Sequence, residues 1–417
     1  MKLPKRITLL MFVVLLSVAL VGCGKRGEYG VTEPSTKDQG VTAGTLAERI
    51  SQNNEFAFKL YGELKSSNDN LIISPHSIAT CCGMAYAGAR GNTERQMADV
   101  LCFHYPQGGF HSALRQLNDL LNSRQGLTLK ISNGCWGSKG WGYLPSYLDT
   151  LSVEYGANIQ YLDFVNHPEE ARQTINQWAE NHTAGYIKEL LPPGCIDPML
   201  TYLVLANTVY FVAEWLHQFS PGCTYPSTFK RLDGSEVVVP FMTGEKTMPY
   251  CKGNGYVAME MPYKGEQLSM LLIVPEEGNY GAFEESFTPA ILDSVIGNLK
   301  ETYISFYIPK FAFYSSFDLG RTLQNMGMTD AFVRGVANFT GMDGFDDGTP
   351  WLSLVVHKAY VKIDESGTMA AAGTGMIFFS VGMHDSFDAK RPFIFVIRDI
   401  PTGTILFMGR VLDPSAT

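Results

Sequence analysis

The chain has 417 residues, 45% apolar and 18% charged, enough to bury a large core in one big domain or two ordinary ones. Its formal charge of −9 and lack of a basic stripe exclude the usual nucleic-acid-binding surface. No internal repeat or low-complexity tract interrupts this ordinary soluble composition.

The first predicted element is a leader. Lys2, Lys5 and Arg6 precede an apolar run over 7–16, interrupted only by Thr8, and small residues follow up to Cys23. Charged, apolar and cleavage regions in that order predict a secretion signal too short to be a membrane span. Leu20-Val21-Gly22-Cys23 resembles the bacterial lipoprotein box. By that resemblance residues 1–22 are removed and Cys23 carries the lipid that meets the membrane. The plainer alternative is an ordinary signal cut nearby, with Cys23 incidental. Losing the three cations takes the charge from −9 to −12, which disfavours adhesion to anionic lipid. Residues 24–44, rich in Gly, Thr, Glu, Lys and Asp, read as a flexible tether. The expected location is the bacterial cell envelope, at the outer membrane or cell surface. The other seven cysteines form no C-x-x-C pair, and their neighbours predict buried free thiols rather than a disulfide framework or zinc site.

From residue 45 the pattern is helical, with Ile50, Ala57, Leu60, Tyr61 and Leu64 inside and Glu48, Arg49 and Lys65 outside. Ser74-Pro75 opens a second helix running to Ala89, with Gly91 as its stop, and 92–96 caps a third. Residues 170–180 are helical, and Leu191-Pro192-Pro193-Gly194 is a turn. The nearly charge-free run 202–212 predicts a strand buried on both faces. Further strands are expected at 268–274, 303–308, 352–363, 393–398 and 404–411. Helices early and long strands late give an α+β architecture around large sheets, without β-α alternation.

No segment proposes an enzyme. G-x-S-x-G, H-E-x-x-H and phosphate-loop patterns are missing, and Gly140-Trp141-Gly142 lacks the third glycine of a dinucleotide fingerprint. The eight histidines are scattered, and none stands at metal-ligand spacing. No metal or small-molecule cofactor is implied. A Ser-His-Asp set assembled from distant residues stays open.

The stretch after Ile363 behaves differently. It is poor in charge beyond Glu365, rich in small residues, then apolar from Met376 to Val381. Gly367, Gly373 and Gly375 argue against a stable helix. Thr368, Ala370, Ala372, Thr374, Met376 and Phe378 alternate, so as a strand they would share one small or apolar face. Such a segment can lie exposed and later enter a sheet.

These residues resemble the hinge of the serpins: Glu365-Ser366-Gly367-Thr368, then Ala370-Ala371-Ala372. Residues 70–77, Gly91-Asn92-Thr93, Ile175-Asn176-Gln177-Trp178, 205–211, Ile308-Pro309-Lys310-Phe311, 393–398 and 404–411 also resemble that family, over essentially 45–414. The resemblance implies a single domain over 45–417, with three sheets and about nine helices. A reactive-centre loop at about 365–390 would stand above a central five-stranded sheet. It also implies roles: Ser74, Ser77, Asn207 and His357 as a polar cluster beneath the opening strands, and Trp215 and Lys310 where the loop enters, Lys310 paired with Glu365. Each alone reads as an ordinary core residue, helix cap or solvated charge.

The resemblance further implies a suicide-substrate inhibitor. A target endopeptidase attacks the bait and forms an acyl-enzyme, and the cleaved loop inserts into the sheet and traps it. The native fold must then be metastable. The rival is a non-inhibitory serpin that binds or chaperones. Charged, bulky or Pro residues at the hinge would favour the rival. Here Thr368, three alanines, Gly373 and Thr374 stand there, although Met369 replaces the usual Glu and the glycines weaken strand propensity. The family's spacing puts the reactive bond at Val381–Gly382, suited to elastase-like proteases. Cleavage after Phe379 would suit chymotrypsin-like enzymes, and cleavage after Ser380 papain-like ones. With no Arg or Lys between Glu365 and Lys390, trypsin-like targets are disfavoured. No basic cluster lies between 105 and 127, so no glycosaminoglycan partner is expected. The expected state is a monomer.

Overall fold

The computed structural model describes residues 46–125, 127–368 and 385–416. They belong to one compact unit, 42–417. Cys23, the leader and the tether lie outside the described residues.

The first half runs α1 (Leu46–Leu64), β1 (Leu71–Ile73), α2 (Pro75–Tyr86), α3 (Gly91–Leu101), α4 (Gln107–Asn122), β2 (Leu127–Ser138), α5 (Pro145–Tyr155), β3 (Ile159–Leu162), α6 (Pro168–His182) and β4 (Leu203–Glu214). Then come β5 (Thr224–Lys230), β6 (Glu236–Gly253), β7 (Tyr256–Pro262), β8 (Leu268–Pro275), α7 (Tyr280–Ser286) and α8 (Pro289–Asn298). The chain continues with β9 (Lys300–Pro309), β10 (Phe311–Asp318), α9 (Gly320–Asn325), α10 (Thr340–Asp343) and β11 (Val356–Ile363). It closes with β12 (Gly367–Thr368), β13 (Ser386–Asp388), β14 (Phe393–Asp399) and β15 (Ile405–Val411).

Two sheets organise these elements. One has six strands in the order β10-β11-β12-β4-β2-β3. The other has nine, β1-β15-β14-β8-β7-β6-β9-β13, with β5 on β6. Where three sheets were expected, β6 is long enough to pair with β5, β7 and β9, and so joins two of them. The six-stranded sheet exceeds the expected five because Gly367 and Thr368 already form a strand in it.

Local chemistry explains the elements that matter. Ser74 caps α2, its hydroxyl accepting from Ser77 N, and Pro75 fills the first turn, where its missing N–H costs nothing. Helix α2 is buried nearly all round and packs against β4 and β15. It ends at Tyr86, earlier than expected, and Gly91 starts α3 instead of stopping α2. Strands β8, β14 and β15 are buried at every position, as fits runs covered on both faces. Strand β4 is only partly so: Ala206 and Thr208 are buried on one face and Phe211 and Ala213 on the other, with half-buried residues between them. Arg49, expected outside, is fully buried under the rings of Phe103 and Phe110, 5.3 and 5.2 Å from its guanidinium. The seven described cysteines are all free thiols, and Cys82, Cys102, Cys135 and Cys251 are buried.

Candidate functional site

The site begins where β11 ends. Asp364 turns the chain: its carboxylate accepts from Ser366 N at 3.0 Å and Ser366 Oγ at 2.6 Å. Burial works to raise the Asp364 pKa, but the hydrogen bonds from Ser366 and Lys362 outweigh it and hold the group below its usual range. The turn aims Gly367 and Thr368 back between β11 and β4, antiparallel to both, with Thr368 opposite Ile363 and Ala213. Only glycine fits at 367, since a Cβ there would collide with the Ala213 carbonyl oxygen and Glu214 Cα.

Aromatic side chains wall this entry. Trp215 N donates to Ser366 O and Trp215 Nε1 to Asp364 O, each at 2.9 Å. Its indole stacks on Tyr263, centroids 4.6 Å apart and planes within 10°. The fully buried Tyr263 hydroxyl lies 2.7 Å from Thr368 Oγ1. Outside this pair, Lys310 Nζ donates to Glu365 Oε2 at 2.7 Å, Thr224 Oγ1 donates to Oε1 at 2.8 Å, and Phe219 N donates to Glu365 O at 2.8 Å. Burial opposes ionisation of Glu365, yet the Lys310 hydrogen bond leaves its pKa lowered.

A second cluster lies on the face of the sheet that α2 covers. Ser77 Oγ donates to Asn207 Oδ1 on β4, and Asn207 Nδ2 donates to Asn133 Oδ1 on β2 at 2.7 Å. Ser74 N donates to His357 Nε2 on β11 at 3.1 Å. Burial pushes the His357 pKa down to about 4, so the ring is neutral and free to accept. One helix start thus ties together β4 and β11. Among the described residues those two strands pair with β12 and not with each other. The sheet is already parted by one strand's width at its head.

The structure therefore brings Ser74, Ser77, Asn207 and His357 into one cluster, and Trp215, Lys310, Glu365, Gly367 and Thr368 into another. Ala370, Ala371, Ala372, Thr374, Phe379, Ser380, Val381 and Gly382 lie outside the described residues. Within the span expected as a loop, 365–390, residues 367–368 pair in one sheet and 386–388 pair in parallel with β9 in the other, and 369–384 lie outside the described residues. Sequence patterns missed Tyr263, Thr224 and Asn133. Only Asn133 carried a signal, as a polar amide followed by Gly134 within an otherwise strand-like run.

The family profile described as Serpin (serine protease inhibitor) matches residues 51–414. The chain belongs to the serpin family. An uncharacterized serpin-like protein of Thermococcus kodakarensis is 35% identical over 390 residues, 92% of this chain and 90% of its own. Human leukocyte elastase inhibitor is 35% identical over 382 residues, covering 87% of this chain and 99% of its own. A solved structure of thyroxine-binding globulin with thyroxine aligns at TM-score 0.79 and 28% identity, over 88% of this chain and 99% of that one. In this serpin one cluster holds β12 at the head of the six-stranded sheet, and the other ties β4 and β11 six residues further down those strands.

Proposed function

We propose that this serpin inhibits endopeptidases of the elastase-like or chymotrypsin-like class by inserting its cleaved loop between β4 and β11. The observation that carries this reading is Thr368, already seated as a strand with its hydroxyl against Tyr263. The entry route exists, and the residues due to enter next, three alanines and Thr374, bring no charge or proline to block it. The reactive bond is Val381–Gly382, with Phe379 and Ser380 as alternatives; papain-like proteases are secondary targets. One relative is named for elastase inhibition, in keeping with a small branched residue at 381. Thyroxine-binding globulin, structurally similar to this chain, is solved with thyroxine, so a carrier role is the rival. We also propose removal of 1–22, lipidation of Cys23, and a tether holding a monomeric serpin domain at the bacterial envelope.

Incubation with elastase, chymotrypsin and papain, followed by denaturing gels, tests the inhibitory reading. An SDS-resistant adduct and a C-terminal fragment whose mass marks the cut are expected. Clean cleavage by all three, with no adduct and no gain in thermal stability, refutes it. Labelled palmitate incorporation that disappears in Cys23→Ser tests the anchor; no incorporation refutes it.

A further inference from the structure

Away from the sheet opening, α1 and the end of α3 bring an amine and a thiol together. Lys59 Nζ donates to Cys102 Sγ at 3.3 Å. Glu55, one turn back on α1, pairs with the same ammonium at 2.9 Å. His104 Nε2 lies 3.4 Å from the other Glu55 oxygen. Cys102 ends α3 with φ 59°, a left-handed conformation where glycine is usual. A cysteine kept there holds its sulfur at a fixed place despite the backbone strain. Cys102 also reaches Val100 O at 4.0 Å, while Cys81 donates to Leu205 O and Cys251 to Val295 O.

We propose that Lys59 and Cys102 are a redox modification site, which dioxygen converts to a covalent N–O–S bridge between α1 and the α3 end. A bridge through one oxygen atom needs only a modest approach from the present separation, whereas a direct N–S bond would require a much closer one. The Lys59 ammonium first releases one proton to solvent from its exposed side. The amine nitrogen and thiol sulfur then both bond to the same oxygen of O2. The O–O bond, one N–H and the S–H break, and the second oxygen leaves as water with those two hydrogens. Nitrogen and sulfur each give up two electrons, which accounts for the four that dioxygen accepts. Cys102 is fully buried, but dioxygen is small and apolar, and Lys59 and Glu55 are about half exposed, so the proton has a way out. A thiol reductant reverses the bridge, and the partners are 43 residues apart, so it closes a long loop.

The test uses the full chain purified without oxygen, half of it then equilibrated with air, denatured, alkylated and digested. The expected product in the aired sample is a linked pair of peptides carrying Lys59 and Cys102. Its mass should be roughly 14 Da above their sum. The pair should vanish with dithiothreitol and be absent from Lys59→Arg and Cys102→Ser. Quantitative alkylation of Cys102 in both wild-type samples overturns the proposal. So does Cys102 recovered as a disulfide or sulfinic acid with Lys59 unmodified, or a linked pair roughly 2 Da lighter than the sum, which would be a direct S–N bond.

Discussion

Thr368→Arg tests the insertion step most directly. Thr368 is 3% exposed, flanked by Ile363 and Ala213, with its hydroxyl 2.7 Å from a fully buried phenol. Removing that hydrogen bond costs about 1 kcal/mol. Desolvating a guanidinium in the slot adds several more, of the order of 3 kcal/mol after relaxation. Because Thr368 already sits in the sheet, arginine there first expels the hinge, and returning it during insertion costs about 4 kcal/mol, slowing that step roughly a thousandfold relative to wild type. Deacylation is untouched, so the protease wins the race. Titration of elastase should then require on the order of hundreds of inhibitor molecules per enzyme trapped, and gels should show cleaved chain in place of adduct. Thr368→Val loses a bond made both before and after insertion and keeps the slot apolar, so the ratio should change by less than about twofold. An unchanged stoichiometry for the arginine variant would contradict the argument that residue 368 enters the sheet interior.

Three further outcomes rest on the same geometry. Asn207→Ala strips Ser77 Oγ of its acceptor and Asn133 Oδ1 of its donor, so unfolding in urea should lose about 2–3 kcal/mol; a loss below the error of the fit would refute the cluster's role. Glu365→Gln keeps the Thr224 contact but removes the charge facing Lys310. With side chains 15% and 34% exposed, about 1 kcal/mol should go, and Trp215 emission should shift to the red as the turn loosens. Acid is the last perturbation. Burial depresses His76 and His357 to about 4 and His111 to about 3, so the unfolded chain binds protons first. Their contribution is full above about pH 6.5 and is lost as pH falls through about 4, at up to 1.4 kcal/mol per pH unit for each ring. Urea unfolding at pH 7.5 and 5 should differ by several kcal/mol, less so in His357→Asn; a flat profile would refute the assignment.

Local patterns were enough to read much of this serpin from its residues. The Ser74-Pro75 cap and the apolar runs of β8, β14 and β15 are governed by neighbours a few residues away. Arg49 shows the limit. Its helical spacing says surface, and only the rings of Phe103 and Phe110, brought by α3 and α4, make burial tolerable. The same holds at the sheet opening. His357 meets Ser74 from 283 residues away. No periodicity announces Tyr263 as the partner of Thr368, because the two meet only when the turn after β7, bridged to Trp215, comes against β12. The sequence by itself determined that a segment able to become a strand comes after β11. The tertiary structure decided that its first two residues, Gly367 and Thr368, are already in the sheet, because the Asp364 turn, the missing Cβ at 367 and the buried Tyr263 hydroxyl satisfy them there.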